Sequence, residues 1–259
     1  MVEEKNESKN LFLFFVITFL WSWLFWLPEV LWNVHLFFGS FGPLVSALIL
    51  TYKNEGKAGV VSLFKRAFNF KFKKIWLVPT FLIFPFIMFV SYVFSSLIEG
   101  KGVDFSYFAQ SNLFSLIFIF IYILFLGGPV AEEFGWRGYA LDRLQKRWNA
   151  LVSSLILGVM WGLWHIPLFF MKGSIQSLIP FWAFLVLIVS GSIIFTWIYN
   201  NTEGSLFTAL MLHTMNNLSF VLFPILGLKL GGPMLLLISV VTSIVVVIIF
   251  GPKRLSRKI

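Results

Sequence analysis

Long apolar stretches separated by short polar ones set the architecture of this chain. Runs long enough to cross a bilayer fall near 11–32, 36–52, 75–98, 117–141, 150–171, 178–199, 205–223 and 233–250. Within each run the apolar residues are continuous rather than alternating, which argues for helices and against the strands of a membrane barrel. The expected fold is therefore all-α, a polytopic transmembrane helix bundle of about eight spans. The first run follows a polar leader, Met1–Asn10, which carries Glu3, Glu4 and Glu7 beside Lys5 and Lys9. It is too long for a cleaved signal and no A-x-A site follows it, so it reads as a span. With no fixed-period repeat and no low-complexity linker, residues 1–259 read as a single integral membrane domain.

Charge placement orients the bundle. With the N-terminus inside, the inner segments take Lys5 and Lys9, the seven basic residues from Lys53 to Lys74, the four from Arg137 to Arg147 and the four from Lys253 to Lys258. Only Lys101, Lys172 and Lys229 of the 20 basic residues then fall outside. The excess of Lys and Arg in cytoplasmic loops places both termini in the cytoplasm, as an even number of spans requires. Within Lys53–Lys74, Val60, Val61, Phe64, Phe68 and Phe72 recur at helix-like spacing among the cations. That suits either a helix lying in the inner interface or a solvated basic loop.

Composition narrows the class further. Of 259 residues 59% are apolar and 12% charged, against about 45–50% and about 25% in soluble domains. A soluble enzyme and a disordered chain are excluded. The net charge of +9 belongs to the loops of a membrane protein, so no nucleic-acid partner is expected. The absence of Cys removes disulfide, thiol and thiolate-metal chemistry.

Ionisable side chains inside apolar spans mark candidate sites, because hydrocarbon penalises them. Three clusters stand out. Ala131-Glu132-Glu133-Phe134-Gly135-Trp136-Arg137 follows Gly127-Gly128-Pro129 in the fourth run. Neighbours on a helix point about 100° apart, so the two Glu face different ways. Glu133 and Arg137 stand at i and i+4 in the favourable order for an ion pair, while Glu132 has no such partner. Trp161-Gly162-Leu163-Trp164-His165 lies in the fifth run, and His213-Thr214-Met215-Asn216-Asn217 in the seventh. His213 and Asn217 share one helix face. His35, in the first outer loop, reads as incidental. Counted at 1.5 Å per residue from the inner ends, Glu132 lies about 14 Å deep, His213 about 12 Å and His165 about 22 Å. These depths suggest one layer, in a cavity wetted from the cytoplasmic side. A lone buried His or Glu–Arg pair is ordinarily scaffold; the joint occurrence of four such polar residues points to chemistry.

A carboxylate, two imidazoles and an amide suit activation of water against a carbonyl, with Glu as base, His in the proton traffic and Asn at the oxyanion. A second route makes Glu132, His165 and His213 the ligands of a catalytic ion such as Zn²⁺. No HExxH helix accompanies them. Spacing alone leaves both routes open.

The set EExxxR, aromatic-xxx-His and HxxxN, each on its own span, resembles the CPBP family of intramembrane proteases, which includes CAAX prenyl endopeptidases and bacterial bacteriocin-processing and self-immunity (Abi) proteins. The resemblance covers about 127–223. It implies that Glu132 activates the attacking water, that Glu133 and Arg137 support it, that His165 holds or activates the water, and that His213 and Asn217 stabilise the oxyanion. Trp161 stands where the family usually has Phe, which bears on the shape of the substrate pocket. The implied activity is hydrolysis, near the cytoplasmic side, of a peptide bond in a membrane-associated or lipidated peptide, in an integral protein of a bacterial cell membrane. Family members are described both as metalloproteases and as metal-independent glutamate proteases, so zinc stays an open cofactor. The competing reading is a non-catalytic self-immunity or partner-binding membrane protein that keeps the motif as architecture.

Overall fold

The structure is a computed structural model and describes residues 2–104 and 112–257, with side chains from Asn6. The leader residues Glu3, Glu4 and Lys5 thus lie outside the described side chains, and Lys258 outside the described residues. The chain is helical: α1 (Val2–Trp32), α2 (Gly42–Lys65), α3 (Leu77–Ile98), α4 (Leu113–Leu126), α5 (Pro129–Gly135), α6 (Ala150–Trp164), α7 (Phe181–Asn201), α8 (Leu206–Leu222) and α9 (Gly231–Phe250). The path of α5 continues through a π-helical turn, Trp136–Leu141, into Asp142–Gln145.

Each expected span has a helical counterpart, but their lengths differ from the expectation. Among the described residues five helices are long and apolar enough to cross a membrane, and the bent pair Leu113–Leu126 and Pro129–Gln145, at 42°, makes a sixth. The other two fall short for reasons visible in their residues. The C-terminal part of α2 carries Lys53, Glu55 and Lys57 and breaks at Gly56 (φ 64°). α8 has 17 residues and spends Thr208, His213, Thr214 and Ser219 on the protein interior rather than on lipid. Helices that line a polar interior need not be apolar all round.

Small residues let the helices approach closely. α6 buries Ser153, Ser154, Leu157 and Gly158, and Gly158 meets Val189 and Ser192 of α7. A Cβ on Gly158 would come within 2.8 Å of the Val189 backbone, so only Gly fits that crossing. Asn112 caps α4, accepting from the Ser115 N–H at 2.8 Å. Asn149 caps α6 in the same way through Val152, at 2.9 Å.

The two ends of the bundle differ in character. At one end Arg66 donates to Asp142 (2.8 Å) and reaches the Tyr199 hydroxyl, and Lys146 pairs with Glu7. There too the Ala150 N–H donates to the Lys253 carbonyl (3.0 Å) and Asn200 to the Arg254 carbonyl (2.8 Å). Residues near both chain ends therefore sit at this same basic end. Arg137 is fully buried and is not a loop charge. Across Lys53–Lys74, α2 runs to Lys65, a 3₁₀ turn covers Arg66–Phe68, and irregular chain leads to a second turn at Lys74–Trp76.

Candidate active site

The kink between α4 and α5 begins the site. Gly128 has φ 112°, a conformation that L side chains avoid. A Cβ there would lie 2.6 Å from Glu132 Oε1 and 4.0 Å from His213 Nε2. The bare backbone thus lets a carboxylate and an imidazole nitrogen converge beside it. Pro129 opens α5 at the first helical position, where a missing N–H costs nothing, and Glu132 follows within the first turn.

The two neighbouring acids take different surroundings, as the 100° offset requires. Glu133 is fully buried and faces the protein. Its Oε1 accepts from Arg137 Nη1 at 2.9 Å and from His213 Nδ1 at 2.7 Å. The Arg137 guanidinium lies between the rings of Trp161 and Phe195, 4.4 and 4.0 Å from their centroids. Glu132 faces a cavity of about 530 Å³ instead. Its Oε2 accepts the Trp161 indole N–H at 2.7 Å, which leaves Oε1 free.

The histidines are held so that one nitrogen of each remains available. His165 Nδ1 lies 2.7 Å from the Trp161 carbonyl. A carbonyl only accepts, so Nδ1 carries the hydrogen and Nε2 has the lone pair. His213 is oriented through Nδ1 by Glu133, with Nε2 toward Gly128. Asn217 Nδ2 donates to the Gly127 carbonyl at 3.1 Å and its Oδ1 accepts from Asn216 at 3.0 Å, which leaves one amide hydrogen uncommitted. Glu132, Trp161, His165, His213 and Asn217 all line the one cavity; Glu133 and Arg137 stand behind it. His35 lies elsewhere, paired with Glu29.

Three contributions were not visible from spacing: the glycine that makes room for Glu132, the hydrogen bond from Trp161 to Glu132, and the tie of His213 to Glu133. The Gly127-Gly128-Pro129 break was the available signal for the first. The other two join different helices, and spacing along one helix does not register them.

A metal would need Glu132, His165 and His213 to point their free atoms at one position. Among the described residues no three His, Asp or Glu side chains stand close enough together to hold an ion. The arrangement therefore does not fit a three-ligand site.

The cavity also has a direction. From Glu132 it reaches Trp26, Ser40, Ile175, Gln176 and Ile179, which belong to the end opposite the Arg66–Asp142 and Lys146–Glu7 pairs. Depth along α5, α6 and α8 cannot give this, because it places the residues without saying which way the space between them opens.

Comparison with known proteins bears on this stretch. A family model for type II CAAX prenyl endopeptidase Rce1-like proteins matches residues 114–219, which contain every candidate residue above. Over 224 residues the chain is 29% identical to a protein of Methanococcus maripaludis named CAAX prenyl protease 2, covering 80% of this chain and 82% of that one.

Proposed function

We propose that the chain is a member of the CPBP family of intramembrane proteases, as the Rce1-like match over residues 114–219 supports, and that it hydrolyses its substrate's peptide bond with water activated by Glu132. The enzyme is an integral membrane protein acting on a membrane-associated substrate. One observation carries the mechanism: the free Oε1 of Glu132, beside His213 Nε2, faces a cavity that His165 also lines, while the other polar atom of each is already bonded to scaffold.

In this reading a water sits between Glu132 Oε1 and the lone pair of His165 Nε2. Glu132 takes one proton as the water oxygen bonds to the substrate carbonyl carbon. The developing oxyanion is met by His213, protonated at Nε2, and by the uncommitted N–H of Asn217. The C–N bond then breaks, and Glu132 returns the proton to the leaving amine. Glu133 neutralises Arg137 and fixes the His213 ring. Trp161 serves as substrate wall and holds Glu132 by its indole N–H. No step passes through a metal, so activity should survive exhaustive chelation; loss on chelation with recovery on added Zn²⁺ would contradict the scheme.

The substrate is a membrane-associated or lipidated peptide, in a bacterial cell membrane. The test is Glu132→Gln, which keeps the Trp161 hydrogen bond and removes the base. Cleavage should fall by about 10²–10⁴-fold, the range that a general base supplies, with folded yield unchanged. Undiminished cleavage would exclude Glu132 as the base.

A further inference from the structure

The first helix lies outside the stretch 114–219 that the family model matches, yet it reaches the candidate site through two tryptophans. α6 ends at Trp164, and His165 is the residue that closes it. Carbonyls in the last turn of a helix have no partner within it, and Pro167, two residues on, brings no N–H. Three of these carbonyls are met locally. That of Trp161 lies 2.7 Å from the His165 ring nitrogen, that of Gly162 takes the His165 N–H at 3.2 Å, and that of His165 takes the Leu168 N–H at 2.9 Å. The Trp164 carbonyl is met from another helix: the Trp23 indole N–H on α1 donates to it at 3.0 Å, across 141 positions of sequence.

One turn further along α1, the ring of Trp26 packs 4.6 Å from the ring of Trp164. The Trp164 ring in turn stands edge-on to the His165 ring at 4.7 Å. Gly39 makes room for Trp26, since a Cβ there would come within 2.1 Å of its indole nitrogen. Trp26 and Trp164 are both buried. The residue before His165 is therefore gripped from α1 at its carbonyl and at its ring. That carbonyl shares one rigid peptide plane with the His165 N–H. With the N–H held by Gly162 and the carbonyl by Trp23, the plane from which the His165 side chain springs is fixed on both edges.

We propose that Trp23 is a positioning residue for His165, acting through the Trp164–His165 peptide, so that α1 holds one side of the imidazole in place. Trp23 does not line the cavity that holds Glu132 and His165, so its influence passes through His165. The effect on turnover rests on the protease reading; the placement of the ring does not.

Trp23→Phe tests this, because it keeps a ring beside Phe19, 5.5 Å away, and deletes the donor. Trp21→Phe is the control: Trp21, on the same helix, donates its indole N–H to the Phe38 carbonyl at 3.0 Å, away from α6. The first readout is independent of activity. The chain has three histidines, His35, His165 and His213, so their ring protons can be followed by NMR of the purified protein in detergent, with His165→Ala assigning the signal. The His165 signal should move in Trp23→Phe and stay in place in Trp21→Phe. The second readout is kinetic. In Trp23→Phe kcat should fall about three- to tenfold, as loss of one hydrogen bond supports, with KM near wild type. In the His165→Ala background the same substitution should cost nothing more, because the two residues act as one unit. An unmoved His165 signal, an equal effect of Trp21→Phe, a wild-type kcat, or the same loss with and without His165 overturns the proposal. A moved signal without any Glu132-dependent cleavage would defeat the protease reading and leave the positioning of the ring standing.

Discussion

At the residue scale the site depends on two carboxylates that are neighbours in sequence and opposites in role. Glu133 Oε1 takes a hydrogen bond from Arg137 and another from His213 with none of the three exposed to more than a few per cent. Breaking a buried pair by removing one partner costs about 3–5 kcal/mol, because a charge is left uncompensated. Glu133→Ala should therefore lower the melting temperature in detergent and the folded yield, whereas Glu132→Gln should leave both near wild type. Equal losses for the two variants would erase this division of roles. Trp161→Phe is a finer probe: it keeps a ring over Arg137 and deletes only the N–H on Glu132 Oε2. A hydrogen bond to a charged group contributes about 1.5–3 kcal/mol, so kcat should drop by about tenfold or more, with KM and melting temperature nearly unchanged. A rise in KM at constant kcat would make Trp161 a substrate wall and nothing else.

Among the elements, the break at Gly127–Pro129 decides where the site forms. It bends the α4–α5 span by 42°, starts a fresh helix one turn before Glu132, and is held from α8 by Asn217 on the Gly127 carbonyl. Gly128→Ala would place a methyl 2.6 Å from Glu132 Oε1 at φ 112°, so it should abolish cleavage; wild-type turnover would contradict the placement of Glu132. A second junction lies at the mouth end. Glu99 accepts from the Leu230 N–H at 2.7 Å and pairs with Lys101 at 2.9 Å, and these partners, the backbone N–H first, hold its carboxyl below the ordinary value of 4.5. A depressed carboxylate pKa adds stability that is present above the unfolded value and lost as pH falls through the folded one. Protection of the Leu230 amide against exchange should therefore hold at neutral pH and be lost in acid as Glu99 takes up its proton; protection that does not change with pH would show that Glu99 does not hold the loop.

The elements also show what a sequence can and cannot carry. Apolar length located the helices among the described residues that are long enough to cross a membrane, and i, i+4 spacing found the Glu133–Arg137 pair. It overstated α2, which carries charges and breaks at Gly56, and α8, whose His213, Asn216 and Asn217 answer to the cavity. The Trp161–Glu132 and His213–Glu133 bonds join residues 29 and 80 apart, and no local rule reports them. The direction of the cavity is likewise a property of packing.

For the molecule as a whole, the helices enclose a cavity of about 530 Å³ lined by Glu132, Trp161, His165, His213 and Asn217. Glu132 combines a free carboxylate oxygen, a fixed orientation and access to that space. The most direct test compares peptide termini in membranes of cells carrying wild type or Glu132→Gln at matched folded amounts. New termini that appear with wild type and are missing with Glu132→Gln would identify the substrate and the base together. Identical termini in the two membranes would contradict hydrolysis by Glu132-activated water.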